Sequence, residues 1–184
     1  MSTALAALRI GFIGAGRVAQ TLAPAFDRAN LNVAAFYNRG PDAARQLGSR
    51  VPSARPMPHA QQVVDICDMV FLAVSDDAIL PVCRDLRWEP RHRVVHCSGA
   101  TELGALDHAK SAGAATGGFH PMQMFANPDV ALEGLRGAPS ASKPNPISGV
   151  SWNGSPPASD ANRWRCRPAC GRSIMPRPTM SVRS

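Results

Sequence analysis

The sequence lacks any run of about 18 apolar residues, the minimum for a membrane-spanning helix, so it predicts no transmembrane segment. The amino terminus has a short apolar stretch but no charged start, which argues against a signal peptide. Cysteines are scarce, with five in 184 residues, and Cys166 and Cys170 have no matching histidine or cysteine pair to complete a zinc site. We therefore expect no metal site and a location in the reducing cytoplasm.

Acidic residues are scarce in only one part of the chain. Residues 138–184 contain seven Lys and Arg against the single Asp160, whereas residues 1–137 contain 13 basic and 12 acidic residues. The net charge of +7 therefore belongs mainly to the carboxy-terminal segment. That segment has neither aromatic stacking platforms nor a known nucleic-acid motif, so nucleic acid is not the expected partner, and nucleic-acid binding through this basic tail is the less favoured alternative.

A glycine-rich loop near the amino terminus is the most informative motif. An apolar strand over residues 8–13 leads into Gly14-x-Gly16-x-x-Ala19, the pattern of a loop that binds a dinucleotide pyrophosphate at a helix start. The first glycine permits a tight turn, the second lets the backbone approach the phosphates, and the alanine lets the helix pack on the sheet. A glycine turn without a ligand is the alternative. The candidate cofactor-binding residues of this loop are Gly14, Ala15, Gly16, Arg17 and Val18.

The end of the second predicted strand, Asn32–Tyr37, indicates which cofactor is bound. An NAD site usually has a carboxylate here, about 20 residues after the glycines, to bind the ribose 2′-hydroxyl. This chain has Asn38 and Arg39, with no carboxylate before Asp42. A carboxylate would repel a 2′-phosphate, whereas a guanidinium can bind one in a bidentate fork. Asn38 and Arg39 therefore favour NADP over NAD. The alternative is that Arg39 is only a solvated loop charge.

Strands and helices alternate through the next part of the chain. The run Met69–Val74 is apolar throughout, as expected for a parallel strand buried on both faces. Pro24 is expected to kink the first helix or bound its last turn. Further strands are predicted at residues 93–97 and 114–119, with a short edge strand within 51–58. Helices are predicted at residues 17–28, 41–48, 59–66, 78–86 and 102–111. This alternation predicts an α/β fold with a doubly wound, mostly parallel sheet.

In such a sheet the ligand lies beyond the carboxyl ends of the strands, where this chain has small or polar residues. Val74 and Ser75 are candidates for cofactor contact, although Ser75 can instead cap the next helix. Ser98 is a candidate for binding a substrate oxygen or the nicotinamide carboxamide. His120 is a candidate acid/base for hydride transfer, or a histidine that only bonds a nearby carbonyl. His96 is better explained as a core histidine.

Several of these segments together resemble one family. It comprises Rossmann-like NADP oxidoreductases that join this domain to a C-terminal helical domain of unknown function, and it is similar to pyrroline-5-carboxylate reductase and the deazaflavin-dependent NADP reductases. The resemblance covers about residues 8–137 and is carried by Gly11–Ala19, Asn38-Arg39, Leu72–Asp76, His96–Ala100 and Gly117–Gln123. It implies an NADP-dependent oxidoreductase acting on a small carbonyl, imine or carboxylate-bearing substrate, and a homodimer for the intact family. A cofactor-binding module without catalysis is the alternative.

The segment after Gly137 departs from this pattern. Residues 138–184 contain no Leu and no Phe, but eight Pro and nine Ser, and they show no helical or alternating period. Burial cannot offset chain entropy in such a composition, so we expect a disordered tail. The sequence thus predicts a Rossmann-like domain over residues 1–137 and a separate tail. A frameshift near codon 137 would explain why the family's helical domain is missing; a genuine basic tail is the alternative.

Overall fold

The alternation of strands and helices predicted from the sequence is present in the folded chain. The computed structural model describes residues 7–119 and, for the backbone alone, residues 150–153. The strands are β1 (Arg9–Ile13), β2 (Asn32–Tyr37), β3 (Arg55–Pro56), β4 (Met69–Leu72), β5 (Arg93–His96), β6 (Ala115–Phe119) and β7 (Val150–Asn153). The helices are α1 (Arg17–Arg28), α2 (Pro41–Arg50), α3 (Ala60–Ile66), α4 (Asp76–Asp85) and α5 (Asp107–Ser111), with a 3-10 turn at Leu103–Leu106.

The described strands form one sheet in the order β3-β2-β1-β4-β5-β6-β7. Strands β1 to β6 pair in parallel, and β7 pairs antiparallel with β6. The chain builds the sheet outward from β1 in one direction, then returns to add β4 on the other side of β1. This is the doubly wound sheet that the sequence predicts. The reversal between β1 and β4 is the position where sheets of this kind hold ligands.

Apolar side chains cover both faces of the sheet. On one face, Phe12 of β1 stacks on Phe71 of β4 at a ring-centroid distance of 5.2 Å, and Phe26 of α1 packs on Phe71 at 5.4 Å. On the other face, Val63 of α3 and Ile79 of α4 are buried with other apolar side chains. All four residues of β4 are buried, as the apolar run predicts for a central parallel strand.

Pro24 lies inside α1, which continues to Arg28. The proline therefore does not end the helix and stands immediately before its last four residues. Proline lacks the N–H that would bond to the carbonyl of Gln20, four residues earlier. The Arg50 guanidinium donates to this oxygen instead, with an Nη1–O distance of 3.3 Å. A side chain at the end of α2 thus satisfies the carbonyl that the proline leaves without its helical donor.

Other element boundaries differ from the predicted ones by a few residues. The first predicted helix after β5 is divided, because a 3-10 turn at Leu103–Leu106 precedes the short α5. The strand β4 ends at Leu72, two residues earlier than predicted, and α4 begins at Asp76 instead of residue 78. The short strand β3 lies at the sheet edge, as predicted for the proline-rich segment.

Four residues of the predicted tail have a described structure. Val150–Asn153 form β7, which extends the sheet beyond β6. The sequence prediction missed this strand because backbone pairing at a sheet edge requires no apolar period. The proposed domain boundary at residue 137 and the rest of residues 138–184 lie outside the described residues. Among the helices that are described, none has the length and apolar character to cross a membrane.

Candidate functional site

The glycine loop lies between the carboxyl ends of β1 and β4, the point where the chain stops adding strands on one side of β1 and begins to add them on the other. Gly14 has a φ of +98°, which places it in the left-handed region that disfavours side chains. A Cβ added there would stand 2.4 Å from the Ala73 carbonyl oxygen and 3.1 Å from Val74 Cγ1. Gly14 is therefore required by the close approach of the β4 end as well as by its own turn.

Gly16 is in a different environment. It has an extended backbone, with φ −73° and ψ −173°, and is solvent-exposed. A Cβ added to Gly16 would have the Ala73 oxygen, 3.9 Å away, as its nearest neighbour within 4 Å. No packing within the described residues thus demands a glycine here. The missing side chain leaves open space above the loop, which is the feature a closely approaching ligand needs.

The amino-terminal end of α1 suits an anion. Gly16 is its N-cap residue, no side chain caps the exposed N–H groups, and the first turn contains no acidic residue. The first N–H groups of a helix lack partners within it, and they carry the positive end of the helix dipole. The exposed Arg17 and the half-buried Val18 are the first two residues of the helix.

The loop after β2 is joined to the glycine loop by hydrogen bonds. Gly14 N donates to the Tyr37 carbonyl oxygen at 2.8 Å, and Ala15 N donates to Asn38 Oδ1 at 3.0 Å. Asn38 Nδ2 donates to the Gly40 carbonyl oxygen at 2.8 Å. The predicted candidates Ala15 and Asn38 are therefore in direct contact, 23 residues apart in the chain.

Arg39 is exposed at the carboxyl end of β2, immediately after Asn38. The first acidic residue after it, Asp42, lies in the first turn of α2 and forms an ion pair with Arg45. The Asp42 carboxylate is thus paired with Arg45. The position that holds a ribose-binding carboxylate in an NAD site is occupied here by the amide of Asn38.

The end of β4 forms the opposite wall of the loop. Val74 is half-buried with its Cγ1 close to Gly14, while Ser75 is exposed at the N-cap position of α4. The backbone oxygen of Ser75 accepts the Ala78 N–H at 2.9 Å, but its hydroxyl does not cap the helix. A hydrogen bond from Ser75 lowers the pKa of Asp77. The expected side-chain cap is therefore replaced by a contact between Ser75 and Asp77.

Ser98 follows β5 and is buried. Its Oγ accepts two backbone N–H groups, from Ala100 at 3.1 Å and Thr101 at 3.0 Å. These bonds shape the loop after β5, and the hydroxyl can then offer only its proton to a ligand oxygen. His96 is fully buried, and its Nδ1 accepts the Ser98 N–H at 3.3 Å.

The remaining candidates for chemistry at the strand ends are limited. Burial raises the pKa of the Cys97 thiol to about 12, so this thiol stays protonated at neutral pH and is a poor nucleophile. No cluster of three potential metal ligands occurs in the portion of the chain that the structure describes. His120, the predicted acid/base, lies one residue beyond the described part of β6.

Two buried residues that support the site were missed by sequence reasoning. Gln20 of α1 is 4% exposed, and its Nε2 donates to the Ala15 carbonyl oxygen at 3.2 Å and to the Ala43 carbonyl oxygen at 3.0 Å. It thereby holds the glycine loop against α2. The available signal was a glutamine on the sheet-facing side of an apolar helix. Gly11 of β1 allows α3 to approach, because a Cβ there would stand 2.5 Å from Val63 Cγ1.

Solved structures share this fold at low sequence identity. A provisionally named NADP oxidoreductase from Bacteroides fragilis is 24% identical with a TM-score of 0.54, covering 64% of this chain and 45% of its own. Pyrroline-5-carboxylate reductase from Coxiella burnetii is 17% identical with a TM-score of 0.57, and the match covers 65% of this chain and 46% of that chain. A reductive aminase from Aspergillus terreus, solved with NADPH, is 15% identical with a TM-score of 0.56, covering 67% and 43%.

These matches span less than half the length of each solved relative. Curated protein sequences provide no significant match. A family model described as a Rossmann-like domain matches residues 2–121, which is more than half of the chain and includes every strand from β1 to β6. This chain therefore belongs to the Rossmann-like domain family, and its parallel sheet with the glycine loop between β1 and β4 agrees with that family match.

Proposed function

We propose that this chain binds NADP and belongs to an oxidoreductase that transfers hydride to or from a small carbonyl, imine or carboxylate-bearing substrate. One observation carries the proposal: the open glycine loop is hydrogen-bonded to Asn38, and the exposed Arg39 follows Asn38 at the place where an NAD site usually has a carboxylate. The loop suits a pyrophosphate, and the exposed arginine suits a 2′-phosphate.

Each residue of the site has a distinct part in this proposal. Gly14 and Ala15 form the turn, Gly16 leaves room for the phosphates, and the N–H groups at Arg17 and Val18 face them. Arg39 pairs with the 2′-phosphate, while Val74 and Ser75 border the dinucleotide at the β4 end. The NADP nicotinamide supplies or accepts the hydride when bound. Ser98 donates its hydroxyl proton to a carboxamide or substrate oxygen, and His120 exchanges the proton that accompanies hydride transfer.

The structural relatives support this proposal at the level of the fold. They include a reductive aminase solved with NADPH, although an imine reductase variant from Myxococcus stipitatus was solved with NAD+. NAD therefore remains the alternative cofactor for this chain. The matches cover less than half of each relative, and the substrate class and a homodimeric assembly are part of the proposal.

Fluorescence titration of the purified protein with NADPH and NADH tests the choice of cofactor. We expect NADPH to bind more tightly, and Arg39→Ala to weaken NADPH binding by about tenfold or more while leaving NADH binding nearly unchanged, since a charge-assisted contact is lost. Arg84→Ala is the matched control, because this exposed arginine lies in the last turn of α4, away from the glycine loop. An unchanged preference for NADPH in Arg39→Ala would refute the role given to Arg39.

A second measurement separates an enzyme from a cofactor-binding module. NADPH oxidation is followed at its absorbance band with a panel of small aldehydes, ketones, cyclic imines and oxoacids. Turnover of one class supports the oxidoreductase and names its substrate type. Tight NADPH binding with no turnover across the panel would contradict the catalytic part of the proposal and favour the non-catalytic module.

A further inference from the structure

The Asn38 side chain connects two loops that sequence motifs treat as separate. Its Oδ1 accepts the Ala15 N–H at 3.0 Å, and its Nδ2 donates to the Gly40 carbonyl oxygen at 2.8 Å. The partners define the orientation of the amide, since an N–H requires an acceptor and a carbonyl requires a donor. The oxygen of the amide therefore bonds to the glycine loop, and its nitrogen bonds to the loop after β2.

The first of these bonds positions the glycine loop. Gly14 N already donates to the Tyr37 oxygen at 2.8 Å, so two consecutive N–H groups of the loop bond to the end of β2. The Ala15 N–H is consequently occupied by Asn38. Any dinucleotide held by this loop depends on that arrangement, whichever group its ribose carries.

The second bond closes the turn that carries Arg39. Asn38 and Gly40 flank Arg39, and the bond between them restrains the backbone on both sides of its Cα. The Gly40 oxygen also accepts the Ala44 N–H at 3.4 Å in the first turn of α2. Arg39 is thus presented from a turn anchored to a helix, and its own side chain remains exposed.

We propose that Asn38 is a positioning residue with two separable effects: its Oδ1 sets the affinity for any nicotinamide dinucleotide through the glycine loop, and its Nδ2 sets the preference for the 2′-phosphate through Arg39. This inference rests on the proposed function. The role assigned to Asn38 uses one lone pair of its Oδ1 and one proton of its Nδ2, both bonded within the protein, and it requires no contact between Asn38 and the phosphate.

The affinity test compares NADPH and NADH in four variants. Asn38→Ala removes both bonds, and we expect NADH binding to weaken about fivefold and NADPH binding about 25-fold, one hydrogen bond accounting for each factor of five. When Arg39→Ala is already present, Asn38→Ala is expected to weaken both dinucleotides by the same fivefold factor. Asn32→Ala is the matched control, an exposed asparagine at the other end of β2.

Amide hydrogen exchange of the ligand-free protein tests the same role without a cofactor. Asn38→Ala should speed exchange at the Ala15 N–H, whereas Asn38→Asp should preserve protection because a carboxylate still accepts this bond. The carboxylate would lose the donor to the Gly40 oxygen and would also repel a 2′-phosphate directly, so Asn38→Asp should lose the NADPH preference while keeping the loop in place. Unchanged protection in the core strand β4 reports that each variant is folded.

The outcomes distinguish the two proposals. Wild-type protein that binds neither dinucleotide overturns the proposed function and the positioning role with it. Wild-type protein that prefers NADPH, together with Asn38→Ala that weakens both dinucleotides equally, overturns the positioning role alone. Ala15 exchange that is as fast in Asn38→Asp as in Asn38→Ala also overturns it.

Discussion

Gly14 and Gly16, two residues apart in one motif, are glycines for different physical reasons. Gly14 adopts a positive φ and lies against the Ala73 backbone, so the fold itself requires it. Gly16 has an ordinary extended backbone and open space where a side chain would extend. Gly14 is therefore needed for folding, whereas the missing side chain of Gly16 leaves space for a ligand and is not required by packing among the described residues.

Alanine substitutions should separate these two roles. We expect Gly14→Ala to lower the free energy of unfolding by about 3 kcal/mol, since it combines a disfavoured backbone region with a clash against backbone atoms. Gly16→Ala should change stability by less than about 0.5 kcal/mol but weaken NADPH binding about tenfold or more. Chemical denaturation and fluorescence titration measure the two quantities. Equal stability losses in the two variants would contradict this assignment.

At the scale of elements, the site depends on how closely β1 approaches its neighbours. Gly11 lets α3 pack on β1, because a Cβ there would overlap Val63 Cγ1 at 2.5 Å and Cys67 Sγ at 2.7 Å. The same strand runs directly into Gly14 at the reversal point. A shift of β1 relative to α3 would therefore move the glycine loop away from β4 and from the end of β2.

A double-mutant cycle tests this packing between strand and helix. Gly11→Ala should destabilise the protein by about 1–3 kcal/mol through overpacking. Val63→Ala removes the nearest overlapping atom, so the double variant should be more stable than the sum of the single losses predicts, by about 1 kcal/mol. Urea denaturation gives the four free energies of unfolding. Strictly additive losses would show that the β1 and α3 backbones move apart instead.

At the scale of the whole molecule, the two ends of the parallel strands differ in what lies there. The carboxyl ends of the strands form the candidate site, while charged and polar groups join the amino ends. Asp68 accepts from Arg9 Nε at 3.1 Å and Nη2 at 3.0 Å, and Arg91 lies 3.8 Å away. Burial favours the neutral form of Asp68, but the bonds from Arg9 outweigh it and lower its pKa. His92 is buried at the amino ends of the strands, directly before β5, and its burial and then the Arg91 charge lower its pKa.

Both shifts predict a loss of stability as the pH falls. The unfolded chain binds a proton at His92 near the ordinary pKa of 6.5, while the folded chain resists it, so stability should begin to fall below that pH. Asp68 contributes stability above its ordinary pKa of 3.8, and this contribution is lost as pH falls through its lower folded pKa. Thermal melting between pH 3 and pH 8 measures both effects.

Matched substitutions assign the two pH windows. His92→Gln should flatten the dependence below pH 6.5 but leave the more acidic part in place, whereas Asp68→Asn should remove only the acidic part. A melting temperature of the wild-type protein that rises as the pH is lowered from 6.5 would contradict the assigned direction for His92.

The sequence by itself determined the order of elements, the doubly wound sheet and the position of the glycine loop. These follow from local patterns: apolar runs, glycine spacing and strand–helix alternation all act within a few residues. The tertiary structure decided the contacts between distant segments, such as Asn38 with Ala15, Gln20 with Ala43 and Arg50 with the carbonyl freed by Pro24. It also decided the pairing of β7, which lacks a detectable period. Such contacts depend on which backbone groups meet in space, and no pattern along the chain specifies that before the sheet is assembled.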